Sequence, residues 1–153
     1  MADLLTHVAA ANLCAKAVKD DRARALILVG TCVPDVAYKT LIYATGSSTW
    51  SAEPTHSPVP LAALCFGLAL LFEESMRSKA FWALFSGGCL HLAIDLGKDY
   101  MGQGVIVWAF PFSMDRIELA WYSPEDTLYM MGGAAVVLVL TEFFYRRFRR
   151  RVA

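Results

Sequence analysis

The chain has 153 residues, enough for a single domain over 1–153, and is 57% hydrophobic and 18% charged, with a mean hydropathy of +0.44. That balance excludes an ordinary soluble domain and fits an integral membrane bundle. Fourteen basic residues offset 14 acidic ones, so no nucleic-acid partner is expected.

A first helix is expected from about Ala2 to Lys19. It does not read as a secretory leader, because no basic region precedes it and His7 interrupts its apolar run. A second helix opens near Ala23 and runs to about Ala44, with Pro34 kinking or breaking it just before Asp35. The stretch "TGSSTWSAEPTHSP" is a loop of small polar and turn-forming residues. The third helix runs from Pro58 to about Glu74, with Ser57 as N-cap and Pro58 in the first helical position. The fourth runs from about Lys79 to Leu96 and stops at Gly97. Residues 98–122 form an aromatic, interfacial segment. A fifth helix begins at "SPED", where Ser123 and Asp126 have the spacing of a capping box, and ends in "YRRFRRR". Cys14, Cys32, Cys65 and Cys89 form no C-x-x-C pair and read as small buried residues. The expected fold is therefore all-α: an integral membrane bundle of four to five helices.

Lysine and arginine set the orientation. If the first helix descends from the outer face, alternation brings Lys16, Lys19, Arg22, Arg24, Arg77, Lys79 and five arginines between Arg146 and Arg151 to the inner side. Lys39, Lys98 and Arg116 remain outside. This asymmetry predicts a multi-pass protein with a short N-terminus outside and a cytoplasmic C-terminus. Glu142, near the inner end, is the expected partner of the arginine cluster.

The same topology makes a second, independent prediction. His7, Asp35, His56, His91 and Asp95 all fall in the outer part of the bundle, although none was used to orient it. Imidazole and carboxylate together suit zinc or another first-row dication. His91 and Asp95 in "GGCLHLAIDLG" are one turn apart and can reach one ion from one helix face. Gly88, a turn before His91, would let a neighbouring helix carrying His7 or Asp35 come close. Taken singly, each residue has a plainer explanation. A histidine can be a hydrogen-bonded core residue, Asp35 a helix cap, His56 a loop residue, and the His91–Asp95 pair a simple hydrogen bond.

The motifs "TH" at Thr6–His7, "PD" at Pro34–Asp35, "THS" at Thr55–Ser57 and "HLxxD" from His91 to Asp95 resemble, in order and spacing, the membrane-bound metal-dependent hydrolases of bacterial inner membranes. "FPFS", Phe110 to Ser113, is similar to that family's segment after the His–Asp helix, and the resemblance covers residues 4 to 145. The ligand order His, Asp, His, His-x-x-x-Asp is also similar, more distantly, to that of zinc-dependent phospholipases C and related single-strand nucleases. That likeness implies that Asp35, His56, His91 and Asp95 hold one zinc. It also implies that Asp95 bridges to a second ion bound by His7, and that Asp35 serves as general base. The chain departs from the family at Ala37, where a second Asp is common, and at Ser51, Ala52 and Glu53, where many members have His-Arg-Gly.

The expected activity is metal-assisted hydrolysis by one or two Zn2+ ions, or another divalent metal, at the extracytoplasmic boundary. A phospholipid or lipid-linked phosphate ester is the expected substrate, and membrane lipid the expected partner. Trp108, Phe110, Phe112, Trp121 and Tyr122 would hold acyl chains or headgroups, or else only anchor the protein. Glu53, Ser57 and Arg116 are candidate substrate-binding groups. Arg116 could clamp a phosphate or simply pair with Asp115 or Glu118. The alternatives are a non-catalytic metal-binding membrane protein, such as a sensor or transport accessory, and a purely structural role for the polar groups.

Overall fold

The computed structural model describes residues 4–46, 53–99 and 106–152. It is all-helical. The elements are α1 (Leu4–Ala15), α2 (Asp21–Gly30), α3 (Val33–Thr45), α4 (Pro58–Ala69), α5 (Glu74–Leu96) and α6 (Thr127–Val152), with 3-10 turns at Glu53–His56 and Pro124–Asp126. Among the described residues no strand forms, only two isolated β-bridges, Lys98–Tyr122 and Ile106–Ile117. Ser51 and Ala52 lie outside the described residues, as does the side chain of Glu53.

Asp20 caps α2, its carboxylate accepting from the amides of Arg22 (2.8 Å) and Ala23 (3.2 Å). The break anticipated at Pro34 occurs three residues earlier, at Thr31 and Cys32. Proline cannot donate to the carbonyl four residues back, so it sits in the first turn of a new helix. Together α2 and α3 make a 25-residue apolar segment, Asp21–Thr45, long enough to cross a membrane. Thr127–Tyr145 is the second such segment, and its side chains are almost entirely uncovered by the rest of the protein. α1 and α4 have 12 residues each, about 18 Å of helix, too short to cross alone.

The third and fourth helices were expected to meet between Glu74 and Lys79, but α4 ends at Ala69 and α5 begins at Glu74. The chain turns at 70–73 through tight bonds from the amides of Leu71 to Leu68 and of Phe72 to Ala69. Arg77 Nε then donates to the Phe72 carbonyl (3.2 Å), and Glu74 places its carboxylate in the first turn of α5. The charged run therefore starts a helix rather than separating two. At the other end of α5, Gly97 has φ −75°, so no left-handed turn is made there. A Cβ at this position would meet the rings of Tyr122 and Trp121 at 3.2–3.3 Å, so the glycine admits the returning segment. That segment is tied to α5 by Leu119 N–Leu96 O and Trp121 N–Gly97 O, both 2.7 Å. Before α6, the amide and hydroxyl of Ser123 donate to Asp126 Oδ2 at 2.9 and 3.0 Å, the reciprocal half of the anticipated box.

α5 is central and packs on α1, α2, α3 and α4. Inside a bilayer apolar burial drives little, so helices associate through close packing, which small residues permit. One core cluster is built this way, from Ala11, Ala15, Ala23, Ile27 and Ala83. A larger-residue cluster of Val33, Leu61, Cys65, Leu84, Leu92 and Ile106 fills the space towards α3 and α4. Of the four cysteines, Cys65 is buried, Cys32 and Cys89 are half-buried, and Cys14 is exposed, contrary to its expected burial.

Two ends of the bundle carry the polar side chains. At one, Lys16 pairs with Glu142 at 2.5 Å and lies over the Tyr145 ring, 4.2 Å from its centroid. Arg24 donates to the Tyr145 hydroxyl (2.5 Å) and pairs with Asp21, while Lys79 pairs with Asp20 at 2.6 Å. One partner of Glu142 is thus Lys16, just past the end of α1, and the pair fastens α6 to the bundle. The other end holds the histidines and aspartates.

Candidate metal centre

α5 contributes His91 and Asp95, four residues apart and both buried. The position of α5 is fixed by two reciprocal glycine contacts with α2. A Cβ on Gly87 would stand 2.0 Å from the Ile27 carbonyl oxygen, and one on Gly30 would stand 2.1 Å from the Leu84 carbonyl oxygen. Neither helix can carry a larger residue at its contact, so the two backbones touch. Gly88, singled out from sequence for this role, instead admits the side chain of Leu61 on α4, whose Cδ1 would lie 2.6 Å from a Cβ.

The close crossing brings the α2–α3 break against α5. There the Thr31 carbonyl lies 2.8 Å from His91 Nδ1. A carbonyl only accepts, so Nδ1 carries the proton and Nε2 presents a lone pair. α3 starts two residues on and delivers Asp35 from its first turn. α1 supplies His7, whose ring stacks on that of His91 with centroids 4.0 Å apart. The Glu53–His56 turn supplies His56, held edge-on against Tyr38 at 5.3 Å. Ser57 then starts α4 but does not cap it with its side chain: its hydroxyl donates to the Val107 carbonyl at 2.6 Å.

All five expected ligands therefore meet at one place. His91 Nε2 is 3.1 Å from Asp95 Oδ2 and 3.8 Å from Asp35 Oδ1. His56 Nε2 is 3.6 Å from Asp35 Oδ1 and 3.7 Å from Asp95 Oδ2. His7 Nε2 is 3.4 Å from Asp95 Oδ1. Asp95 thus turns one oxygen towards His7 and the other towards His56 and His91. Two overlapping sets have the spacing of metal ligands: His7, His91 and Asp95, and Asp35, His56 and His91.

The donor set fits a dication. His91 Nε2 and Asp95 Oδ1 are fully buried yet make no hydrogen bond. Nε2 of His91 has a lone pair, because its proton is on Nδ1, and it faces a carboxylate. Two acceptors pointed at each other in a dry site repel unless a positive charge lies between them. Ligand atoms on a tetrahedral zinc with bonds of 2.0–2.1 Å stand about 3.3 Å apart, within the spread observed here. The Nδ1–H to Thr31 carbonyl bond is the outer contact that orients metal-binding histidines.

The substrate-binding candidates are less gathered. Ser57 is fully buried, with its proton committed to Val107. Arg116 is exposed, next to Ile117, whose amide bonds the Ile106 carbonyl at 3.0 Å. Among the aromatics, Trp108, Phe112 and Trp121 are exposed, whereas Tyr122 is half-buried and donates to the Ile94 carbonyl at 2.9 Å. Three contributors were not read from the sequence: Gly30, Thr31 and Tyr38. Gly30 had a visible signal, since it continues the Ala23–Ile27 face of α2 seven residues on. The Thr31 carbonyl had none, being a backbone group freed by the break.

The family model described as YdjM inner membrane protein matches residues 1–152. The chain belongs to that family, and is accordingly a bacterial inner membrane protein. No match was found among curated proteins or among solved structures.

Proposed function

We propose that this member of the YdjM inner membrane protein family is a metal-dependent membrane hydrolase, with zinc held by His7, Asp35, His56, His91 and Asp95. The observation that carries the reading is the pair of buried acceptors, His91 Nε2 and Asp95 Oδ2, 3.1 Å apart with the imidazole proton on the far side. A dication bound there supplies Lewis acidity and a water nucleophile near neutral pH.

The chain's own residues divide the remaining work. Asp35 is the general base. Its side chain is 11% exposed, against 3% for Asp95, so it is the carboxylate that water and substrate reach first. Asp95 positions the imidazoles of His7, His56 and His91. His91 is locked by Thr31, and His7 by stacking on His91. Arg116 is a binding group for substrate phosphate.

Lys16, Arg24 and Lys79 gather at the end opposite the ligands, and α6 carries its arginines beyond Glu142 on that side. By the positive-inside rule that end is cytoplasmic, the protein is multi-pass, and the cluster opens to the extracytoplasmic surface. Headgroups lie at that depth, so the substrate is a phospholipid or lipid-linked phosphate ester.

Elemental analysis of metal-replete protein, together with a metal-dependent screen on lipid phosphodiesters and phosphomonoesters, tests the reading. One or two zinc ions per chain and turnover abolished by Asp95→Ala are expected. Bound zinc with no turnover on any ester would favour a non-catalytic metal protein, and absence of metal would overturn the site. A C-terminal reporter should read as cytoplasmic; an external signal would reverse the orientation.

A further inference from the structure

We propose that the groove between α3 and α4 receives one acyl chain of a membrane phospholipid while its headgroup stands at the metal cluster. This rests on the lipid-directed reading of that site and specifies how the substrate lies.

Two adjoining cavities form the groove. The smaller, about 330 Å³, lies between Val33 and Val36 of α3 and Leu64 and Leu68 of α4. The larger, about 590 Å³, is also lined by Leu64 and Leu68 and continues to Leu41, Thr55, Gly67 and Phe110. The two adjoin at the shared leucines. Both have the size of ligand pockets, and among the described residues no charged one lines either.

The groove passes beside the site: Thr55, which lines it, hydrogen-bonds through its hydroxyl with His56 Nδ1 at 3.2 Å. From there it follows α4 from Pro60 to Leu68, a rise of about 12 Å, close to the depth of one leaflet's hydrocarbon. Its α3 wall belongs to the membrane-spanning segment Asp21–Thr45, and Val36 is 60% exposed, so the trough opens sideways to lipid. A polar mouth with cation-binding groups above an apolar trough is complementary to a phosphate headgroup on an acyl chain. Of the aromatic residues expected to hold acyl chains, Phe110 lines this groove. Gly67 leaves the trough open: a Cβ there would meet nothing within 4 Å.

The protein in phosphatidylethanolamine–phosphatidylglycerol vesicles, photolabelled with phosphatidylglycerol bearing a diazirine midway along one acyl chain, tests this. Labels should concentrate on Leu64, Leu68 and their α3 neighbours. Gly67→Phe should cut that labelling several-fold with zinc content unchanged, because its ring fills the trough without backbone conflict. Gly132→Phe, at an equally open position on α6, should leave it alone. Labelling spread evenly over α3, α4 and α6, and unmoved by Gly67→Phe, would overturn the groove even if the esterase activity were intact. Concentrated labelling in a protein without turnover would uphold the groove and remove the hydrolase reading instead.

Discussion

The two polar ends of the bundle use the same kinds of residue to opposite effect. At the basic end donors meet acceptors: Lys16 with Glu142, Lys79 with Asp20, Arg24 with Tyr145. The groups there are partly exposed, with Lys79 47% and Asp20 38% accessible. At the ligand end, five groups from four segments turn lone pairs and carboxylates on one another, with His91 fully buried and Asp95 3% exposed. The chain satisfies the first arrangement by itself. The second, where the His91 lone pair faces the Asp95 carboxylate, is the arrangement that a bound cation would satisfy. Charge complementarity, rather than the presence of ionisable residues, separates a structural cluster from a binding one.

The sharpest way to break this comparison is to delete a ligand. Changing an outer contact of a metal ligand costs about 10–100-fold in affinity, so loss of a ligand itself should exceed that. His91→Ala should therefore lower zinc affinity by more than about 100-fold, measured by competition with a chelator. Asp35→Asn should keep most of the metal and lower turnover by about 10²–10⁴-fold, the usual contribution of a general base. If Asp35→Asn retained full turnover, another group would hold the proton.

Next in size is the contact that joins the two halves of the ligand set. Gly30→Ala or Gly87→Ala forces a methyl into a backbone carbonyl, with no side chain able to yield. Overpacking of this kind costs about 1–3 kcal/mol. Because the same crossing holds the Thr31 carbonyl on His91, zinc affinity should fall along with the melting temperature. Gly88→Ala meets the side chain of Leu61 rather than backbone, and should change both less. Equal effects at all three glycines would show that the crossing does not position the site.

These glycines also mark how far the site was legible in the sequence. The five ligands could be gathered from charge asymmetry alone, because helix direction fixes depth and all five share one depth. The helical bundle was legible from its apolar runs, but of the two segments long enough to cross a membrane only the last helix had a comfortable apolar length in the sequence. What could not be read was azimuth. Which residue of α2 touches α5 depends on the crossing, so Gly88 was favoured over Gly87, and Gly30 went unnoticed. Cys14 was misplaced for a related reason: in a membrane helix the lipid face and the core face are equally apolar, so hydropathy does not tell them apart. The α4–α5 turn was misplaced because a charged run can open a helix as readily as end one. Ser57 looked like a side-chain cap until the returning segment brought the Val107 carbonyl within reach of it.

The smallest effects belong to the basic end. Lys16→Ala should cost about 0–1 kcal/mol, as partly exposed ion pairs do, and leave zinc content unchanged. A loss of metal would mean that α1 reaches the site only when α6 holds it, which would couple the two ends. Asp20 gives the finest test. Its bond from Lys79, then that from the Ala23 amide, hold its carboxyl down at about 2, below the ordinary 3.8. A group whose pKa is lowered on folding stabilises the fold above its unfolded value, and that stabilisation drains away as pH falls through the folded one. The contribution of Asp20 should thus be complete above pH 3.8 and decline towards pH 2. Asp20→Asn keeps a good helix cap while removing the charge. It should therefore flatten the acid limb of a pH–stability curve over that window and leave neutral-pH zinc binding untouched. A flattening confined to pH above 4 would assign the acid response to some other carboxylate.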